Sequence, residues 1–358
     1  MAKGAPVLGI LADPQFASTV ADRTSPDHDG GADRVQRFSA ARDKTRDALA
    51  EMRSEHCDVV LQLGDIIQSD ETQPTHEIAA DLDTMCRVFH ESEAPVLHTI
   101  GNHCIDRLDR GTVCKKLGIR PAKAPLWRRL GNRLIQSFGL GTPSPPSSYY
   151  ARKIPGSKWK IIVLDTTEMS GHSGFEPSTR QARASAAYLK LHPVEQEPHM
   201  IPWNGGCTQR QLDWLKDELK KAMKRHNLVV IASHHPVQPA AARRTHLAWN
   251  YQDILNIVRA CPAVRLVVSG HDHVGGACRQ SSGGGHQLYL TVPAILEASV
   301  DSTEYLVLNL GELERCTDER PAEIPSDTVR LTLGERTKAS LLVDGIAGSR
   351  HPSVEKRV

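Results

Sequence analysis

The sequence predicts an α/β fold built on a parallel sheet, and three observations carry that expectation. Short runs rich in Val, Ile and Leu alternate with amphipathic stretches of helical period from Val7 to Ile100, in the order β-α-β-α-β, a pattern that implies right-handed crossovers. Apolar runs along the chain end in polar residues, several of them after a glycine: Asp13 and Gln15, then Asp65, then Asn102 and His103, then His234, then His271 and His273. In open α/β sheets the ligand crevice lies beyond the carboxyl ends of the strands, so residues far apart in sequence meet at one edge. Finally, 358 residues, 39% hydrophobic and 24% charged, are enough for one large domain or two modest ones.

Val7 to Ala12 reads as a buried strand stopped by Asp13-Pro14-Gln15, since proline cannot donate to a ladder. Phe16 to Ala32, polar and rich in Asp and Gly, reads as a surface loop. Asp33 to His56 reads as a long amphipathic helix, with Val35, Phe38, Ala41, Thr45, Ala48, Leu49 and Met52 at helical spacing. Asp58 to Leu63 is the second strand, a helix runs from about Pro74 to Glu91, and Pro95 to Ile100 is the third strand. Gly118 to Ser148, rich in Gly, Pro and Arg, reads as an inserted loop. Tyr149–Ile154 and Trp159–Asp165 predict a hairpin across Pro155-Gly156. Thr166 to Gly206 is a second insertion with a helix around Arg180 to Leu191, and a long insertion beside a ligand site suits a cap.

Thr208 caps an amphipathic helix to Arg225, with Leu212, Leu215, Leu219 and Met223 on one face. Asn227 to Ala232 is a strand running into Ser233-His234-His235-Pro236, Trp249 to Arg259 is helical, and the strand Val264 to Val268 feeds Gly270-His271-Asp272-His273. Further strands are expected at about His286–Leu290 and Tyr305–Leu310. After Gly311 the pattern thins, leaving an edge hairpin at Val329–Leu333 and Ser340–Val343 and a disordered tail. The expected organisation is one domain over 1–310, with insertions at 104–148 and 166–207, and a partly disordered extension over 311–358.

Lys plus Arg number 44 against 42 Asp plus Glu, a net charge of +2, so no global charge draws the chain to nucleic acid or to a membrane surface. No stretch approaches the roughly 20 apolar residues of a membrane span, and Met1 to Ile10 lacks the features of a signal peptide. The 8 cysteines include no Cys-x-x-Cys pair and read as free thiols in a reducing compartment. The expectation is a cytoplasmic monomer acting on small molecules. The 17 histidines are the one compositional oddity.

Asp13, Gln15, Asp65, Asn102, His234, His271 and His273 are too many ligands for one tetrahedral ion and suit two ions sharing a carboxylate, for which Asp65 is best placed. Carboxylate, amide oxygen and imidazole without cysteine suit Mn2+, Mg2+, Fe2+ or Zn2+. Two such ions polarise a phosphoryl group, generate hydroxide at neutral pH and stabilise the displaced oxygen, which predicts hydrolysis of a phosphate ester or anhydride.

Asp13-x-Gln15, Gly64-Asp65, Gly101-Asn102-His103, His234-x-Pro236 and Gly270-His271-x-His273, in that order, resemble the signature of the calcineurin-like metallophosphoesterase superfamily across most of residues 7 to 310. The resemblance implies a four-layer α-β-β-α sandwich. It also implies that Asp13, Gln15, Asp65 and His273 hold one metal, that Asp65, Asn102, His234 and His271 hold the other, and that His103 stabilises or protonates the phosphate. Gln15 stands where the usual motif has histidine, and its amide oxygen favours Mn2+, with Mg2+ as the alternative. That glutamine is similar to the manganese-dependent ADP-ribose/CDP-alcohol diphosphatase family. So are Asn204-Gly205-Gly206 leading into Gln211-Leu212-Asp213-Trp214-Leu215, Ala248-Trp249-Asn250-Tyr251, and His271 to Gly276. This second resemblance implies cleavage of the pyrophosphate bond of ADP-ribose, CDP-choline or other CDP-alcohols, giving a nucleoside monophosphate and a phosphorylated product. The alternatives are a cyclic-nucleotide or other phosphodiesterase, and a scaffold that lost the chemistry.

Cys104 stands where many superfamily members carry an acid that orients the motif histidine, and a thiol cannot hold His103 as an imidazolium. A phosphate leaving group, with a second pKa of about 6, departs without a proton, so this departure favours diphosphates over simple monoesters. Asn204, Gly205 and Gly206 are candidate substrate contacts through close approach of the cap, set against a plain turn before the next helix. Trp249, Asn250 and Tyr251 are candidates for stacking on a nucleobase, set against a place in the core. Asp165 is expected to cap a helix or form an ion pair, His98 to be a satisfied core histidine, and His235 to point to the opposite side of its strand. The Arg128-Arg129 and Arg243-Arg244 pairs read as solvated surface, and Asp272 as a residue that holds the turn or a neighbouring ring.

Overall fold

The computed structural model describes residues 5–25, 33–69, 71–119, 148–282, 285–300, 302–318, 331–333 and 339–341. The chain opens with β1 (Val7–Leu11), a ribbon of β2 (Arg23–Ser25) and β3 (Arg34–Gln36), then β4 (Val59–Gln62) and β5 (Val96–His98). The hairpin β6 (Tyr150–Lys153) and β7 (Trp159–Val163) comes next, then a second ribbon of β8 (Met169–Ser170) and β9 (Gly205–Gly206). After it come β10 (Leu228–Ser233), β11 (Val264–Ser269), β12 (Gly276–Ser282), β13 (Gly285–Thr291), β14 (Leu306–Asn309), β15 (Leu331–Leu333) and β16 (Ala339–Leu341).

These strands make two six-stranded sheets, ordered β16-β15-β14-β1-β4-β5 and β12-β13-β11-β10-β7-β6. Within them β1, β4 and β5 are parallel, as are β7, β10, β11 and β13, and antiparallel strands flank both blocks. The parallel block explains the unbroken apolar runs: β4 and β11 are buried at every position because both faces of each sheet are covered. Alternation along β10 shows what covers them. Val230 and Ala232 join Leu8, Ile10 and Leu61 between the sheets. Val229 and Ile231 face the other way, onto Leu212, Leu215 and Leu219 of the helix Gln209–Lys224 and onto Ile254 and Val258 of the helix Tyr251–Arg259. Ala48 and Met52 of the helix Ala41–Ser54, with Ile78, Leu82 and Met85 of the helix Thr75–His90, cover the first sheet. The layers run α-β-β-α.

Several expectations are corrected. Asp33 to His56 is not one helix: Arg34–Gln36 is a strand, Val35 is 38% exposed, and the helix starts at Ala41. The reason is tertiary, since the Arg37 N–H donates to Leu296 O and Phe38 packs with Ala17, Ala294 and Leu296, a satellite core that local periodicity cannot announce. Phe16 and Ala17 are accordingly buried rather than part of a surface loop. Beyond Gly311 the thinning pattern hides a helix, Leu310–Asp318, that buries Leu310 and Leu313, and β15 pairs with β14, so the first sheet continues past residue 310. The expected edge hairpin is present where β15 pairs with β16. Residues 120–147, with Arg128-Arg129, and the tail from 342 lie outside the described residues. Among the described residues no helix is long and apolar enough to cross a membrane, and Cys57, Cys86, Cys104, Cys114, Cys207, Cys261 and Cys278 are free thiols.

Candidate metal centre

Strand ends build the site, and the backbone there is strained to do so. Asp13, Gln15, Asp65 and His271 all have positive φ, between 45° and 67°. For non-glycine residues that conformation costs on the order of 1 kcal/mol each, and such strain gathers at functional sites. His56 and His226, which share it, merely come after the ends of the helices Ala41–Ser54 and Gln209–Lys224. Two motif glycines are needed for close approach: a Cβ on Gly101 would sit 2.0 Å from Asp65 Oδ1, and one on Gly270 2.4 Å from Asp13 Oδ2.

Asp13, Gln15, Asp65, Asn102, His234, His271 and His273 meet in one buried cluster. His234 Nε2 lies 3.0 Å from Asn102 Oδ1 and 3.3 Å from Asp65 Oδ2. The Gln15 Nε2 donates to Asp65 Oδ2 at 3.3 Å and lies 3.3 Å from His273 Nε2. One oxygen of Asp13 accepts the His271 N–H, and the other, Oδ1, is buried with no hydrogen-bond partner. One ligand atom each from Asp13, Asp65 and His234 lie within 4.8 Å of one another, as do those of His234, His235 and His271.

The ring nitrogens show how the cluster is poised. His234 Nδ1 is 2.8 Å from Leu63 O, His271 Nε2 is 2.7 Å from Asn204 Oδ1, and His273 Nδ1 is 2.8 Å from Glu297 Oε1. Each acceptor holds the proton on one nitrogen, so the lone pair of the other is turned into the cluster, the arrangement of a metal-binding imidazole. His271 Nδ1 and His234 Nε2 face each other at 3.1 Å, an approach of two lone pairs that needs a cation or a proton between them. With the unpartnered Asp13 oxygen, this donor set fits divalent metal.

The electrostatics agree. Burial, only partly offset by His234 and His273, pushes Asp13 up to about 7. Burial acts on Asp65 too, but the charges of His234 and His103 and their hydrogen bonds outweigh it and hold that carboxyl well below its usual range. His234 is raised to about 9 because Asp65 and Asp13 outweigh burial. Burial drives His271 well below the ordinary histidine value, and neighbouring imidazoles add to it.

His103 lies beside the cluster, its N–H donating to Asp65 Oδ1 at 2.9 Å, while burial keeps its ring below the ordinary histidine value. Cys104 points away, accepting the Ile66 N–H in the core. Asn204 is brought to the cluster, although against His271 rather than toward open space. Gly205 and Gly206 are instead buried in β9, where added Cβ atoms would meet Thr166 O and Asn250 Oδ1.

The stacking expectation for Trp249, Asn250 and Tyr251 is corrected. Trp249 is 2% exposed with its indole N–H on Ile201 O, Asn250 spends its amide on Cys207, and Tyr251 packs edge-on against His199. Their job is to hold the cap. His235 also departs from expectation, its ring centroid lying 4.3 Å from that of His271. β10 ends at Ser233, so strand alternation does not govern it, but Thr166 Oγ1 and Trp203 O occupy both its nitrogens. Arg243 is not solvated: it pairs with Asp272 at 2.7 Å and reaches His246 at 3.1 Å. Asp272 thereby holds the turn. Asp165 is ion-paired with Arg110, and His98 is a core histidine against Gln62 and Phe89.

Sequence reasoning missed Glu297 and Trp203. Glu297 braces His273 and is itself paired with Arg34 at 2.7 Å, and no motif announces it. Trp203 places its ring 5.2 Å from that of His271, and its position just before Asn204-Gly205-Gly206 was the available signal.

Comparison with known proteins identifies the family. A manganese-dependent ADP-ribose/CDP-alcohol diphosphatase from Danio rerio is 28% identical over 320 residues, covering 85% of this chain and 92% of the relative. The Mus musculus protein of the same name is 29% identical over 259 residues, covering 69% and 71%. A crystal structure of a dimetal phosphatase from Danio rerio has the same fold, with a TM-score of 0.70, 24% identity, and coverage of 94% of this chain and 98% of that one. The family description for calcineurin-like phosphoesterases matches residues 9–275, the segment that carries every strand end delivering a side chain to the cluster, and the chain belongs to that family.

Proposed function

We propose that this chain is a Mn2+-dependent hydrolase of the pyrophosphate bond in nucleoside diphosphate derivatives, ADP-ribose, CDP-choline and other CDP-alcohols among them. The products are a nucleoside monophosphate and a second phosphorylated compound. The observation that carries this reading is the set of three histidines, each anchored through one nitrogen and turned inward through the other, around two buried carboxylates. Asp13, Gln15, Asp65 and His273 would hold one divalent ion, and Asp65, Asn102, His234 and His271 the other, with Mg2+ as the alternative to Mn2+. When bound, such a pair supplies Lewis acidity toward a phosphoryl oxygen and a nucleophile at neutral pH.

The chain's own residues do the rest. Asp65 is fixed from both sides, Oδ1 accepting the His103 backbone N–H and Oδ2 lying 3.3 Å from both Gln15 Nε2 and His234 Nε2, so this carboxylate would stand between the groups proposed for the two ions. His103, whose ring has no hydrogen-bond partner among the described residues, is free to donate to a phosphoryl oxygen. Trp203 forms an aromatic wall beside His271. An amide side chain in place of an imidazole at Gln15 and the names of the relatives favour manganese and diphosphates. Incubating the protein with ADP-ribose, CDP-choline, cyclic AMP and bis(4-nitrophenyl) phosphate, in Mn2+ against Mg2+, tests the reading. Release of AMP and CMP from the first two in Mn2+ is expected; no nucleotide release from either sinks it.

A further inference from the structure

The cap meets the metal cluster through a pair of residues with no role so far. His172, two residues after β8, sets its Nδ1 2.6 Å from Asp106 Oδ1, and Asp106 directly succeeds the short helix Asn102–Ile105 that carries His103. Both ends are fixed. The His172 N–H donates to Ser170 Oγ, which donates to Asn204 O, and Asn204 holds His271. Next to it, the Ser173 carbonyl accepts from buried Arg110 at 2.8 Å, and a Cβ on Gly174 would sit 3.0 Å from Ile105. The His172 side chain remains 33% exposed, and its Nε2 has no partner among the described residues.

From this juxtaposition we propose that His172, braced by Asp106, is the cap's hydrogen-bond donor to the phosphoryl group of a diphosphate substrate that does not undergo attack. This rests on the diphosphatase reading above. With Nδ1 committed to a carboxylate, the ring presents a fixed N–H at Nε2, and a charge-assisted donor of that kind suits a phosphate oxygen. The Asp106 hydrogen bond, opposed by burial, raises the His172 pKa above its ordinary value. Asp106 caps the short helix that carries His103, so this end of the pair stands three residues along the chain from the residue expected to contact the phosphoryl group under attack. A monophosphate at the metals would leave Nε2 without a partner. A diphosphate would engage both ends.

Calorimetric binding of α,β-methylene-ADP and of AMP to the Mn2+-loaded protein tests this without turnover. His172→Ala should weaken the methylene compound by about tenfold or more, the worth of a charged hydrogen bond, while AMP stays within about twofold. His172→Gln, which keeps a donor at similar reach, should recover part of the loss. Equal weakening of both ligands would make the pair a mere latch on the cap, and no weakening of either would remove it from the site; each result overturns the proposal. Failure of the diphosphatase reading shows separately, as wild-type protein that leaves ADP-ribose and CDP-choline intact.

Discussion

Glu297 acts on the cluster without reaching it. By accepting the His273 Nδ1 proton it fixes the tautomer that presents Nε2, and Arg34 holds it there. Glu297→Gln should therefore weaken Mn2+ binding by about 10- to 100-fold with the fold intact, read by titration against a metal indicator. The His172–Asp106 pair makes a prediction in pH. Because the folded His172 pKa is raised, mainly by the Asp106 hydrogen bond, its contribution to stability is fully present below the unfolded pKa of about 6.5 and is lost as pH rises through the folded value. Melting of wild type and His172→Ala at pH 6 and pH 8, in chelator, should show a gap that narrows at the higher pH. Both groups are partly exposed, so the gap is at most about 1 kcal/mol. At this scale the candidate ligands could be read from sequence because each follows a strand, whereas Glu297 and His172 could not, since one closes a single 3-10 turn and the other lies in a turn, with no motif to mark either.

Among the elements, the cap depends most on one side chain. Arg110, in the helix Arg110–Lys116, is 3% exposed and donates to Ser173 O, Thr167 O, Ser148 Oγ and Asp165, with its guanidinium 4.8 Å from the Phe175 ring. It ties the start of the cap to the end of β7 and to the segment after His103. Gln211 completes the knot by accepting the Asp165 N–H and donating to Asp165 O and Glu168. Arg110→Ala leaves a buried carboxylate unpaired and should cost about 3–5 kcal/mol in a chemical unfolding curve. Arg110→Lys, with one ammonium in place of a fork, should rescue only part of that loss. In the Gln211-Leu212-Asp213-Trp214-Leu215 stretch, Gln211 holds the cap while Leu212 and Leu215 pack against the second sheet. Element boundaries were readable where a cap residue or a hairpin turn marks them, as at Thr208 and Pro155-Gly156. They were misread over Arg34–Phe38, where pairing with Arg23–Ser25 and contact with Leu296 overrule a helical spacing.

For the whole molecule, the cluster joins the two sheets: Asp13, Asp65 and Asn102 lie just past strands of one, His234 and His271 just past strands of the other. An ion bound between them links the two halves, so metal should stabilise the entire fold. Mn2+ at about 100 times its dissociation constant should add roughly 2.7 kcal/mol over chelator-treated protein, read as a rise in melting temperature. No shift with Mn2+, Mg2+ or Zn2+ would remove the metal from the account. The sequence by itself determined the parallel β-α-β-α-β opening and the inventory of candidate ligands, because a β-strand buried on both faces must be apolar until it ends, and the polar residues just past that end are therefore conspicuous. Tertiary structure alone decided which ring nitrogen faces inward, which carboxylate braces which histidine, and that Trp203 and not Trp249 stands beside the cluster. Those depend on acceptors supplied by segments far away in the chain, and no local pattern of residues encodes the distance between two segments that meet only on folding.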